Sequence, residues 1–347
     1  MKKYKVLIVD DLALMRQRIK DIIDGDSQLY VVGIARNGLD ALEKIKDLNP
    51  DIITLDIEMP QMDGITAIKR IKEICSTPIV MLSNLTEAGA EITIRALELG
   101  ADDFFLKSSL VNKNAKKYII ADFLNKLNAI CDGRENYGLN DSDFKGSISP
   151  INTNDVTKKE IIFIGCSTGG PKALQAVLSK FDKNIGMPIV VVQHMPVGFT
   201  KSLANRLNLK CNIPVKESED KEILKPNHIY ISTAGQQSFV RLNEDGLPSF
   251  DLNSHSPIPT YFKPSVNVTL NSIADIYKEK TLAVILTGMG NDGLLACENV
   301  KKYKGNIIVE SESSCIVYGM PKSVYDANLA DSKVHLNLIY DEILKFI

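Results

Sequence analysis

IIFIGCSTGGPKAL, residues 161–174, sets the terms for the whole chain. The apolar run Ile161–Ile164 leads into Gly165, Cys166, Ser167, Thr168, Gly169, Gly170 and Pro171, and a helix-like stretch follows over 172–181. A short apolar run closed by glycines reads as a fully buried strand, and Pro171 suits the first turn of a helix. The turn between them has two chemical readings. Glycines at a helix N-terminus can cradle an anion, and a serine at the tip of such a turn can act as a nucleophile. The phosphate loop GxxxxGK[ST] and the dinucleotide pattern GxGxxG are both absent here. The rest of the chain has to decide.

A nucleophilic serine needs a base, and the base needs an acid to orient it. The chain has 4 histidines. His194 directly follows the apolar run PIVVVQ, whereas His228 lies within HIYIS, His255 in a polar stretch and His335 at the start of the expected last helix. Asp292, in TGMGNDG, follows the apolar run LAVIL, with Gly288 and Gly290 nearby. Ser167, His194 and Asp292 thus fall beyond three separate expected strands, where one crevice can gather them. Taken singly, Ser167 is as well read as a helix cap, and Cys166 beside it as a small buried residue.

Around these motifs the second half alternates throughout. Strands are expected at 161–164, 189–192, 228–231, 282–286 and 306–309, and helices at 172–181, 199–207, 265–277, 294–303 and 334–346. The first half alternates in the same way, with strands at 5–9, 31–34, 52–55, 79–82 and 103–106. Met15, Ile19, Ile22 and Ile23 recur at helical spacing, as do Ala41, Ile45 and Leu48. A closing helix is expected over 113–130. Residues 131–159, rich in Asp, Asn, Ser and Gly, bury little apolar surface and read as a linker. The expectation is therefore α/β: two doubly wound parallel-sheet domains, 1–130 and 160–347.

The first half carries a second constellation. Asp10 and Asp11 end the first expected strand and Asp56 ends the third; Ser83 follows the fourth and Lys107 the fifth. Three carboxylates at strand ends repel one another, and Mg²⁺, which prefers oxygen ligands, relieves that repulsion. The chemistry this supports is phosphoryl transfer to Asp56, already ionised at neutral pH and needing no base. Mg²⁺ and Lys107 would neutralise the phosphoryl oxygens.

Composition excludes several classes. The chain has 347 residues, 44% hydrophobic and 24% charged, with a formal net charge of −2. That balance points to neither nucleic acid nor an anionic membrane surface. The N-terminal apolar run, Val6–Val9, is too short for a signal peptide core or a membrane span. The 6 cysteines form no CxxC pair, so zinc sites and disulfides are not expected, and a cytoplasmic location is.

The first constellation, with MPQMDGI at 59–65, resembles the receiver domain of two-component response regulators over residues 3–128. The resemblance implies phosphorylation of Asp56 by a histidine kinase of the CheA type. It implies Mg²⁺ held by Asp11, Asp56 and the backbone carbonyl of Glu58, with Asp10 in support, and Ser83 and Lys107 as switch residues. Receivers usually place Pro after the lysine; here it is Ser108. In the second half IGCSTGGP, QHMPVGFTKSLANRL, LTGMGNDG and YGMPKSV resemble the chemotaxis protein-glutamate methylesterase (CheB) family. That resemblance implies Ser167 as nucleophile, His194 as base and acid, Asp292 as orienting acid and the Met289 N–H as oxyanion donor. It implies glutamate methyl esters, and glutamines, of methyl-accepting chemotaxis receptors as substrates, with no cofactor for hydrolysis and phosphorylation as the activating signal. The chain departs from the family at Cys166, at STAGQQS (232–238) and at Asn267. Rival readings are a regulator whose second domain only binds a partner, and a nucleotide-binding output domain.

Overall fold

The computed structural model describes residues 3–111, 117–136, 158–182 and 184–347. The expected linker lies mostly outside them, as do residues 113–116 of the expected closing helix. The chain divides into two compact units, Met1–Glu135 and Asn136–Ile347.

In the first unit a five-stranded parallel sheet runs in the order β2-β1-β3-β4-β5, with β1 Tyr4–Val9, β2 Leu29–Ala35, β3 Ile52–Asp56, β4 Ile79–Ser83 and β5 Asp103–Leu106. Strands β3 and β4 are buried along their whole length, as expected where helices cover both faces of a parallel sheet. Helix α1 (Ala13–Asp24) buries Met15, Ile19, Ile22 and Ile23, the four positions picked out by spacing. The other helices are α2 Gly38–Leu48, α3 Gly64–Ile74, α4 Glu87–Glu98, α5 Lys107–Val111 and α6 Lys117–Asn136. Helix α6 buries Phe123, Leu127 and Ile130 but leaves Tyr118 exposed.

In the second unit a seven-stranded sheet runs β14-β13-β12-β6-β7-β9-β8, every pair parallel. Its strands are β6 Ile161–Cys166, β7 Ile189–Gln193, β8 Val215–Glu217, β9 Ile229–Ile231, β12 Thr281–Ile285, β13 Asn306–Glu310 and β14 Ser332–Val334. An antiparallel hairpin, β10 Gln237–Leu242 with β11 Pro248–Asn253, stands apart from it. The chain starts at β6, builds outward on the β7 side, then returns to build on the β12 side. The order reverses at β6, the place where α/β sheets form their crevice. The helices are α7 Gly170–Leu178, α8 Phe199–Asn208, α9 Val266–Tyr277, α10 Leu294–Lys302, α11 Met320–Asp326 and α12 Ile339–Leu344.

The α/β architecture matches the sequence expectation, with differences at the edges. Residues 334–346 are not one helix: Val334 ends β14, His335 caps a short 3₁₀ turn over Leu336–Leu338, and α12 starts only at Ile339. Strand β8, the hairpin, β14 and α11 gave no usable signal: β8 (VKE) and β14 (SKV) are short and half polar, the hairpin is half polar, and the seven residues of α11 span too few turns for a period to show.

Candidate active site

The carboxyl ends of β6, β7 and β12 build the site in the second unit. Cys166 and Gln193 are register partners on neighbouring parallel strands, so Ser167 and His194 each follow a paired position, strands lying about 4.8 Å apart. Three further bonds lock them together. The His194 N–H donates to the Cys166 carbonyl (3.2 Å). Gln193 Nε2 donates to the carbonyls of both Ser167 (2.9 Å) and His194 (3.1 Å). From the other side, the Ser167 N–H donates to the Thr287 carbonyl just past β12 (3.0 Å).

Glycine is required at two places here. A Cβ on Gly170 would lie 1.9 Å from Gln193 Oε1, and one on Gly288 would lie 2.9 Å from Ser167 Cβ and 2.4 Å from Met320 Sδ. The loop after β12 therefore presses directly on the serine. Among the described residues, no partner takes the Met289 N–H, whereas the Gly288 N–H is bound to the Val317 carbonyl (3.0 Å).

His194 Nε2 lies 2.8 Å from Asp292 Oδ2, and its Nδ1 is buried without a partner. Asp292 is itself held on all sides. Oδ1 accepts the Ser265 hydroxyl (2.9 Å) and the Asn267 N–H (3.0 Å), while Oδ2 also accepts the Val266 N–H (2.8 Å). The carboxylate thus caps the N-terminus of α9, where free N–H groups and the helix dipole favour a negative charge. Burial alone would raise the Asp292 pKa; the hydrogen bond and charge of His194 and the two N–H groups override it and hold the carboxyl below its ordinary value.

An imidazole fixed at Nε2 by a carboxylate and free at Nδ1, beside a serine on the adjacent strand end, can take a proton from that serine. Cys166 is poorly placed as a rival. It is buried, its thiol donates to Gln193 Oε1 (3.0 Å), and burial pushes its pKa well up, so little thiolate forms. His228, His255 and His335 lie elsewhere; the His228 ring bonds the Pro226 carbonyl. Ser265 was not picked out from the sequence, although its place just before the apolar run of α9 is a helix-cap signal. Gln193, Thr287 and Phe262 gave no such signal. Asn267, flagged as a departure, uses its side-chain oxygen to accept the Ala296 N–H (3.0 Å), tying α9 to α10.

The first unit gathers its own cluster. Asp10, Asp11 and Asp56 each offer an oxygen, all within 4.8 Å of one another. Lys107 Nζ lies 2.9 Å from Asp10 Oδ2 and 2.5 Å from Asp56 Oδ2. Burial, opposed by Lys107, pushes the Asp56 carboxyl up to about 6, and the Asp10 charge adds to the rise. Three carboxylates against one ammonium leave an excess of negative charge on hard oxygen donors, which fits a divalent cation such as Mg²⁺. Arg16 Nη1 secures the loop by donating to the carbonyls of Asp10 and Asp11, both at 2.8 Å. The Glu58 side chain is exposed, and its N–H lies 3.4 Å from Asp56 Oδ1. The Ser83 hydroxyl faces Thr93 of α4 (2.6 Å) rather than Asp56. The Lys107–Ser108 peptide is trans and begins α5.

Fold and site together define a class: a receiver-like domain joined in one chain to a second α/β domain that gathers a serine, a histidine and an aspartate beyond its strand ends. A sequence profile of the response regulator receiver domain matches residues 6–117, and one of CheB methylesterase matches residues 162–343. The chain belongs to the CheB methylesterase family. It is 41% identical over 344 residues to the protein-glutamate methylesterase/protein-glutamine glutaminase of Thermotoga maritima, covering 99% of this chain and 98% of that one. The protein of the same name from Halalkalibacterium halodurans is 42% identical over 346 residues, with 99% and 98% covered. Among solved structures, the Thermotoga maritima CheB methylesterase catalytic domain is 42% identical, covers 55% of this chain and 100% of its own, and superposes with a TM-score of 0.53.

Proposed function

We propose that this protein hydrolyses glutamate methyl esters on methyl-accepting chemotaxis receptors, and deamidates glutamines there, through Ser167, His194 and Asp292, under control of phosphorylation at Asp56. One observation carries the catalytic part: Asp292 occupies His194 Nε2 and leaves the buried Nδ1 unpartnered, on the strand end adjacent to the one that carries Ser167. In this reading His194 Nδ1 takes the Ser167 proton as Oγ attacks the ester carbonyl carbon. The carbonyl electron pair moves to oxygen, and the oxyanion is met by the free N–H of Met289. Collapse breaks the bond to methoxide, which leaves as methanol with the proton from Nδ1. Water then gives a proton to Nδ1 and attacks the acyl carbon; Ser167 departs and takes that proton back. With an amide the leaving group is ammonia.

In the receiver, Asp56 would accept the phosphoryl group from a histidine kinase of the CheA type. Asp10, Asp11, Asp56 and the Glu58 carbonyl would hold Mg²⁺, which supplies charge neutralisation during transfer. Lys107, paired with Asp56, would hold the phosphoryl oxygens. Family membership and the union of receiver and hydrolase in one chain support regulation of one by the other. The protein would work in the cytoplasm, on receptor segments exposed there, with domains close to 1–130 and 160–347.

The test is methanol release from a methylated receptor cytoplasmic fragment, with and without a small phosphodonor and Mg²⁺. Release that rises with the phosphodonor, stays basal in Asp56→Ala and vanishes in Ser167→Ala is expected. No release with Asp56 demonstrably phosphorylated would favour a binding-only second domain.

A further inference from the structure

We propose that Phe262 is a positioning residue for His194, that its ring face stabilises the imidazolium formed during turnover, and that Gln237 holds it there. The proposal rests on the Ser167–His194–Asp292 reading. The two rings stack with centroids 3.9 Å apart and planes within 1° of parallel. The His194 side chain is only 6% exposed, while Phe262 remains 39% exposed. Phe262 therefore shields one face of the imidazole and turns its own outer face to solvent.

The segment that carries Phe262 belongs to no helix or strand; the Phe262 N–H donates to Thr260 Oγ1 (3.1 Å), the Gly235 N–H to the Lys263 carbonyl (2.9 Å), and one buried amide ties the segment to α9. Gln237, fully buried at the start of β10, donates Nε2 to the Phe262 carbonyl (2.8 Å) and accepts the Ser265 N–H on Oε1 (2.9 Å). Ser265 in turn donates its hydroxyl to Asp292. A single side chain thus links the segments that carry both partners of His194, the aromatic face and the carboxylate. Gln237 lies within STAGQQS (232–238), the stretch in which the chain departs from the family.

A neutral imidazole gains little from such a stack. Once protonated, the ring is a cation lying on the negative face of an aromatic quadrupole in a site mostly closed to water. That attraction exists only after His194 has taken the serine proton, so it lowers the barrier without tightening ground-state binding. Its loss should therefore appear in kcat and not in KM.

The experiment measures methanol release by the phosphorylated full chain carrying Phe262→Leu, Phe262→Tyr or Gln237→Ala, with His194→Ala as control and thermal unfolding recorded for each. Phe262→Leu keeps an apolar body without a π face. It should lower kcat about 10- to 30-fold, the size of a desolvated cation–π contact, with KM and unfolding midpoint unchanged. Phe262→Tyr, which restores the face, should recover most of the loss. Gln237→Ala should lower kcat in the same sense, and adding it to Phe262→Leu should cost less than the product of the two. Full kcat in Phe262→Leu, or a Tyr variant no better than Leu, would overturn the proposal, as would a loss confined to KM. An active His194→Ala enzyme would instead sink the underlying triad, so the two failures are told apart.

Discussion

Asp292→Asn tests the core of the active-site reading. The carboxylate accepts four donors: the Ser265 hydroxyl and Asn267 N–H on Oδ1, the Val266 N–H and His194 Nε2 on Oδ2. An amide offers one oxygen and one NH₂. Whichever way it turns, its NH₂ meets a fixed backbone donor, from Asn267 or from Val266. One buried N–H is left unsatisfied, at about 1–3 kcal/mol of stability. If the NH₂ sits at the Oδ2 position, His194 Nε2 must accept and the ring proton moves to Nδ1, so the nitrogen needed as base is blocked. If the oxygen stays there the tautomer survives, but the charge opposing the imidazolium is gone. A unit charge pair at about 4 Å and an effective dielectric near 20 is worth about 4 kcal/mol, or roughly 10³-fold in rate. The blocked tautomer carries the loss towards about 10⁴-fold. Methanol release below the variant's unfolding midpoint is the assay, with a urea titration to confirm the lost stability. A folded Asp292→Asn enzyme within tenfold of wild type would refute the assignment of Asp292 as the orienting acid.

Three further outcomes follow from the same geometry. Ser265→Ala removes one donor to Asp292 and the side-chain cap of α9, whose hydroxyl also accepts the Val268 N–H at 3.4 Å; it should cost about 1 kcal/mol in denaturant titration and a several-fold fall in kcat. Mg²⁺ should raise the unfolding midpoint of the full chain, by about 1.4 kcal/mol of stability at tenfold above its Kd, and Asp11→Ala should abolish that shift; an unchanged midpoint across a millimolar titration would count against the cation site. Glu310 is fully buried, accepts the Thr287 N–H (2.8 Å) and the Ser314 hydroxyl (2.9 Å), and burial pushes its carboxyl up to about 7. Because its folded pKa lies above the unfolded value of 4.5, its protonated form favours the fold below about 4.5, and this contribution is lost as pH rises through about 7. Glu310→Gln should therefore gain stability relative to wild type between pH 5 and pH 8, by up to about 3 kcal/mol at 1.36 kcal/mol per pKa unit; equal differences at both pH values would show that Glu310 does not titrate in this range.

The sequence by itself determined the alternation of buried strands and amphipathic helices, because apolar runs such as Ile161–Ile164 and spaced sets such as Met15, Ile19, Ile22 and Ile23 record burial directly. It also placed Ser167, His194 and Asp292 beyond three strand ends, where the structure has them after β6, β7 and β12, because ligand crevices in parallel sheets form at the carboxyl ends of strands. Short edge elements such as β8 and β14 escaped it, and so did the break between Val334 and α12, where too few residues exist for a period to show. Tertiary structure alone decided how His194 is held. The stack of Phe262 on His194 spans 68 positions and the Asp292–Ser265 bond 27. Neither leaves a local pattern, because a single long-range contact constrains one residue type at one place and no neighbours. Which imidazole nitrogen meets the acid, and that Ser83 turns to Thr93 instead of Asp56, depends on side-chain directions fixed only when the elements pack.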